Sequence, residues 1–202
     1  MFGGLIFMAL IFYSFSFWAP TMMIRTFNIS LTEVGFTLGV ITIISSITGT
    51  IIAGSAVDYL RNRNYSDAPV RAAMIAVILA LPPIISLSFV QSELSAWICI
   101  ALYLLFISSF APLGLLAISG VSTGNVKGQT AAIHAFLMMA FGLSLGPQLT
   151  AFFTGILIII FSEGVIRFVS EELFRNFFIL FSPFFIFFIF YLSFIFRLNS
   201  KT

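Results

Sequence analysis

Gly54-Ser55-Ala56-Val57-Asp58-Tyr59-Leu60-Arg61-Asn62-Arg63 closes an uncharged, mostly apolar run that begins at Val34. The run is long enough for a helix to cross the hydrocarbon core of a bilayer, which takes about 20 residues. The charges at its end mark where the chain returns to headgroups and water. Asp58 stands at the helix C-terminus, where the backbone dipole presents its negative end and disfavours a carboxylate. It therefore either meets a cation or another helix's N-terminus, or it is solvated beside arginines that serve only to set topology.

Outward from this stretch, the same pattern recurs. Six runs satisfy the length rule: Gly3 to Ile24, Val34 to Val57, Ala72 to Val90, Leu94 to Ile118, Gln129 to Phe161 and Asn176 to Phe196. None contains Asp, Glu, Lys or Arg. Composition agrees, with 60% hydrophobic and 8% charged residues against about a quarter charged in soluble domains. Barrel strands would appear as short alternating segments instead of long runs. The expectation is an all-α integral membrane protein, with residues 1–202 forming one domain of six transmembrane helices.

The first run lacks a basic leader and an evident small-residue cleavage site, so it reads as a retained helix and not a signal peptide. Basic residues near the helix ends set orientation. Arg61, Arg63, Arg71, Lys127, Arg197 and Lys201 fall on one side, and Arg25, Arg167 and Arg175 on the other. Both termini are therefore expected in the cytoplasm, with the chain in a plasma membrane or bacterial inner membrane. The net charge of +2 is accounted for by these edge residues and points to no nucleic-acid partner. The single cysteine, Cys99, has no intrachain disulfide partner.

Small residues organise the second run. Gly35, Gly39, Thr42, Ser46, Gly49, Ala53 and Ala56 recur at steps of four and three, which places them on one face. In lipid, small side chains let helix backbones approach closely. That face serves either fixed packing in the bundle or a surface along which helices rock. The fifth run carries a sparser set in Ala131, Ala135, Gly142 and Gly146. Phe17-Trp18-Ala19-Pro20 matches Ser109-Phe110-Ala111-Pro112, and Gly49 and Ala53 correspond to Gly142 and Gly146, at an offset of 92 to 93 residues. Two copies of a three-helix unit would be inverted relative to each other, because three is odd. Pro20, Pro82-Pro83, Pro112, Pro147 and Pro183 each remove a helical hydrogen bond and tend to kink. The fifth run exceeds one crossing, so it must tilt, kink at Gly146-Pro147 or extend beyond the membrane.

Three stretches together resemble the major facilitator superfamily, and more narrowly its spinster-like branch. They are Phe17-Trp18-Ala19-Pro20-Thr21 through Arg25 with Ile29 to Gly35, then Gly54 to Arg63, then Gly142-Leu143-Ser144-Leu145-Gly146-Pro147 with Gly155. The resemblance covers nearly the whole chain and implies the C-terminal six helices of a twelve-helix secondary transporter. It implies a hinge loop in which Gly54, Asp58, Arg61 and Arg63 form a latch between neighbouring helices during alternating access. This sequence departs from that motif at Tyr59, where a basic residue is usual, and at Arg61, where a glycine is. It further implies a small organic solute bound near the midplane between this bundle and a second one, either a complementary half or a copy of itself. Tyr13, Phe17, Trp18, Tyr103, His134 and Gln148 are the candidates for lining that path. Gly35, Gly39, Gly49, Gly142 and Gly146 are the candidates for helix packing.

Other function classes fare less well. The seven carboxylates, Glu33, Asp58, Asp67, Glu93, Glu163, Glu171 and Glu172, all lie at run ends or in loops. Ion coupling would therefore rest on the other half or on His134. Glu171-Glu172-Leu173-Phe174-Arg175 superficially resembles the glutamate pair and arginine of intramembrane prenyl-protein proteases. With one histidine and one distant cysteine, the chain lacks the roughly three ligands a catalytic metal needs. No enzyme activity, metal or cofactor is expected. A non-transporting membrane scaffold or partner subunit remains the alternative reading.

Overall fold

A computed structural model describes residues 2–65, 67–121 and 127–160, and these are helical with short connections and no strand. The elements are α1 (Phe2–Phe27), α2 (Leu31–Asn62), α3 (Ala68–Leu87), α4 (Glu93–Ile107), α5 (Phe110–Val121), α6 (Lys127–Leu137), a π-helical turn (Met138–Leu143) and α7 (Ser144–Ile160). The sixth run, Asn176 to Phe196, lies outside the described residues, as do Pro183 and the acidic and basic residues beyond Phe161. Among the described residues, four helical stretches are long and apolar enough to cross a membrane: Leu31–Asn62, Ala68–Leu87, Glu93–Ile118 and Lys127–Phe152. The chain is thus a helical protein built for a bilayer.

Exposure agrees with that solvent. On α2, Ile44, Ile47 and Ile51 are 58%, 58% and 63% exposed. A row of branched aliphatics facing water would forfeit the hydrophobic stabilisation of about 1.5–3 kcal/mol per side chain that burial supplies. Against lipid tails or another apolar helix it forfeits nothing.

Local chemistry explains the helix ends. Ser30 caps α2, its Oγ accepting from the Glu33 N–H at 3.3 Å, and Glu33 completes a Ser-x-x-Glu start signal. Ser92 caps α4 in the same way through the Ser95 N–H. α2 runs on through Asp58 to Asn62, so the presumed hinge loop is the last two turns of a helix. Its end is a Schellman turn: Asn64 takes φ +62°, its N–H donates to the Arg61 carbonyl, and the Tyr65 N–H donates to the Leu60 carbonyl. At about 1.5 Å per residue, the 32 residues of α2 reach about 48 Å, well past a 30 Å hydrocarbon core.

Two of the long runs are broken, each four residues before a proline. A proline ring clashes with the carbonyl four residues earlier and leaves it without an N–H partner. For Pro112 that residue is Ser108, in the Ser108-Ser109 turn that separates α4 from α5. For Pro147 it is Leu143, the last residue of the π-helical turn. The distortion in the fifth run therefore precedes Gly146-Pro147 by one turn. The π-turn widens the ladder where the ring would otherwise collide. α1 and α3 carry Pro20 and Pro82-Pro83 without interruption.

The core is built around α1 and α4. Met8, Ile11, Phe15, Ala19, Met22 and Met23 of α1 and Ile100, Tyr103, Leu104 and Ile107 of α4 are buried in one cluster. The Phe15 and Tyr103 rings meet with centroids 4.3 Å apart. A second cluster of Ala53, Val57, Ala68, Ala72 and Leu113 joins the end of α2 to α3 and α5.

Glycine contacts cross between the two halves. A Cβ on Gly49 of α2 would overlap the carbonyl oxygen of Leu105 in α4, and the Ser109 hydroxyl donates to the Gly49 carbonyl at 2.8 Å. A Cβ on Gly146 of α7 would come within 2.9 Å of the Leu10 carbonyl oxygen of α1 and 3.0 Å of Ser14 Oγ. The second helix packs on the fourth run and the fifth run packs on the first helix. Gly35, Gly39 and Gly54 have nothing within 4 Å of such a Cβ. The small-residue face of α2 is therefore in tight helix contact at Gly49 and open at Gly35 and Gly39.

Candidate solute cavity and helix-end motif

A cavity of about 310 Å³ lies between α1, the α4–α5 break, α6 and the π-turn. Both backbone irregularities border it. The Pro112 break brings Ser108 and Phe110 to its wall, and the π-turn contributes Met138 and Met139. α1 supplies Tyr13, whose ring stands edge-on to Phe12 at 5.4 Å and covers Gly142 so closely that a Cβ there would come within 2.7 Å of Tyr13 Cδ2. α6 supplies His134, only 6% exposed and without a hydrogen bond among the described residues. An imidazole at a cavity wall can donate from one nitrogen and accept at the other. Ser14 Oγ, next to Tyr13 in the chain, is buried without a hydrogen-bond partner among the described residues.

Among the described residues the cavity wall holds no charged side chain, and its polar groups are Tyr13, Ser108 and His134. Such a lining suits a largely apolar guest carrying one or two hydrogen-bonding groups. An ion would lose hydration there without a compensating charge.

The sequence-derived path residues divide. Tyr13 and His134 line the cavity together. Tyr103 is 1% exposed and belongs to the core against Phe15. Trp18 donates from Nε1 to the Pro147 carbonyl at 3.3 Å and ties α1 to α7. Phe17 is 61% exposed and lies edge-on to Trp18 at 5.7 Å. Gln148 is exposed on α7. Sequence reasoning missed Ser108, Phe110, Met138 and Met139. The available signal was the clash of Pro112 and Pro147 with the carbonyl four residues before each.

At the far end of α2, Asp58 is exposed and makes no hydrogen bond or ion pair among the described residues. Arg61 is exposed likewise. Arg63 lies over the Tyr59 ring at 4.9 Å instead of reaching Asp58. Gly54 lies one turn before Asp58 on α2 with open space beside it. Among the described residues, Asp58 and Arg61 have no charged partner and Arg63 is turned onto Tyr59. Among the described residues no cluster of three or more His, Cys, Asp or Glu side chains is placed to hold a metal ion. No protein-family model matches the chain, and no curated protein matches it.

Proposed function

We propose that the chain is the C-terminal six-helix half of a spinster-like major facilitator transporter, composed of two inverted three-helix repeats, which moves a small organic solute by alternating access. The observation that carries this reading is the crossed glycine packing, in which Gly49 meets the fourth run and Gly146 meets the first. Exchange of the second helix of each unit onto the first helix of the other is what a pair of inverted repeats produces about a pseudo-two-fold axis. Asp58, exposed and without a partner among the described residues, and the open glycines Gly35 and Gly39 fit a second six-helix bundle as partner, a complementary half or a copy of the chain. Both termini are cytoplasmic in this proposal, and the membrane is a plasma membrane or bacterial inner membrane. The chain itself catalyses no covalent chemistry and carries no cofactor.

The test is reconstitution of the purified chain, its mass measured in detergent and the flux of a panel of uncharged organic solutes measured in liposomes. Saturable flux that appears only in the assembly of two bundles supports the proposal. Saturable flux from a demonstrated monomer refutes the half-transporter reading, and a stable complex with a complete transporter whose flux is independent of this chain favours the scaffold alternative.

A further inference from the structure

At the junction of α2 and α3 a pocket of about 400 Å³ opens beside two arginine–tyrosine stacks. Arg63 lies over Tyr59 at 4.9 Å, and Arg71 lies over Tyr65 at 4.2 Å. Both stacks are within cation–π range, which favours the stacked orientation of each guanidinium. Arg71 is further anchored by its Nε–H, which donates to Asp67 Oδ1 at 2.9 Å. Among the described residues, Arg63, Arg71 and Asp67 together carry one net positive charge at the pocket.

Below the arginines the wall changes character. Arg71, Ile75 and Ile78 follow one another along one face of α3, and the two isoleucines are each 48% exposed. A cationic rim thus stands beside an apolar ridge on a helix long and apolar enough to cross a membrane. Tyr59 and Tyr65 stand beside the arginines, and tyrosines favour the headgroup level of a bilayer. We infer that this pocket binds one anionic phospholipid, with its phosphate group at Arg63 and Arg71 and an acyl chain along Ile75 and Ile78. Guanidinium groups recognise phosphate oxygens through directed, charge-assisted hydrogen bonds, and basic pockets between membrane helices hold anionic headgroups on that principle. A free phosphate would use the rim alone and leave the ridge without a role. The inference requires only that the chain lie in a bilayer, and it stands apart from whether the chain transports.

Native mass spectrometry from detergent tests it, with dioleoyl phosphatidylglycerol and dioleoyl phosphatidylcholine titrated in parallel. One phosphatidylglycerol should be retained at least about five-fold in preference to phosphatidylcholine. Arg63→Gln should lower that preference about five-fold, the equivalent of about 1 kcal/mol per basic side chain at a membrane surface. Arg61→Gln, adjacent but outside the pocket wall, and Arg25→Gln, near the other side of the bundle, should leave it intact. Arg63 is exposed at the end of α2, so its substitution spares the core, and unchanged helical circular dichroism checks this. Undiminished preference in Arg63→Gln overturns the inference, as does an equal loss in Arg61→Gln, which would indicate undirected surface charge. Displacement of the lipid by equimolar glycerol phosphate would assign the rim to a free phosphate and overturn it too.

Discussion

Replacing Gly49 with alanine adds a single methyl group at the tightest helix crossing among the described glycines. The new Cβ would overlap the Leu105 carbonyl oxygen and lie 2.9 Å from Ser108 Oγ and 3.2 Å from the Leu105 carbonyl carbon. Two of those three atoms are backbone, so no rotamer change relieves the clash and α2 must move away from α4. Overpacking of this kind costs about 1–3 kcal/mol. Separation also lengthens the Ser109-to-Gly49 hydrogen bond, and interhelical bonds in membranes are worth about 0.6 kcal/mol. Alanine's better helix propensity returns about 0.8–1 kcal/mol. The net expectation is a destabilisation of about 0.6–2.8 kcal/mol, which in a chain of this size is a fall of roughly 1–11 °C in Tm. Gly39→Ala keeps the propensity gain and meets nothing within 4 Å, so its Tm should hold or rise. Cys99, the lone and partly buried thiol, reports unfolding directly when a thiol-reactive fluorophore is added during a thermal ramp in detergent. A Gly49→Ala protein that melts at or above wild type, or together with Gly39→Ala, would refute the crossing geometry.

Ser109→Ala removes the same interhelical bond without adding bulk, so it should cost about 0.6 kcal/mol and shift the thermal midpoint by a degree or two. His134→Phe preserves an aromatic plug in the cavity wall while deleting the imidazole; binding of uncharged solutes, measured by equilibrium dialysis, should weaken about ten-fold with Tm unchanged, and unaltered binding would remove His134 from the site. Asp58→Asn should reduce flux in the two-bundle assembly while leaving abundance in the membrane unchanged, since Asp58 has no partner among the described residues to lose; equal flux would mark it as merely solvated. In a Cys99→Ala background, Asn62→Cys should be shielded from an impermeant external reagent and Gln91→Cys labelled, and the reverse pattern would invert the orientation.

Much of the local structure was written in short-range chemistry. Ser30 with Glu33 and Ser92 with Ser95 announce helix starts, because a cap needs only the N–H groups two or three residues on. Pro112 and Pro147 disturb the helix within four residues upstream, and both breaks follow. The membrane solvent was legible as well, since long runs without charge have few other uses. Of the aromatic and polar residues the sequence singled out, Tyr13 and His134 line one cavity, whereas Tyr103 packs in the core against Phe15.

What the sequence by itself determined is that the chain is helical and built for a bilayer; of its prolines only Pro112 and Pro147 follow a break, while Pro20 and Pro82-Pro83 lie in continuous helices. Only the tertiary structure decided that Gly49 is clamped while Gly35 and Gly39 are open, that Tyr103 turns inward, and that Arg63 lies on Tyr59 and not against Asp58. The reason lies in the solvent: a soluble helix displays an apolar stripe that names its buried face, whereas a helix apolar all round names none. Its facing is then set by close packing between residues far apart in the chain, such as Gly49 with Leu105 and Gly146 with Leu10, and no local pattern contains that information.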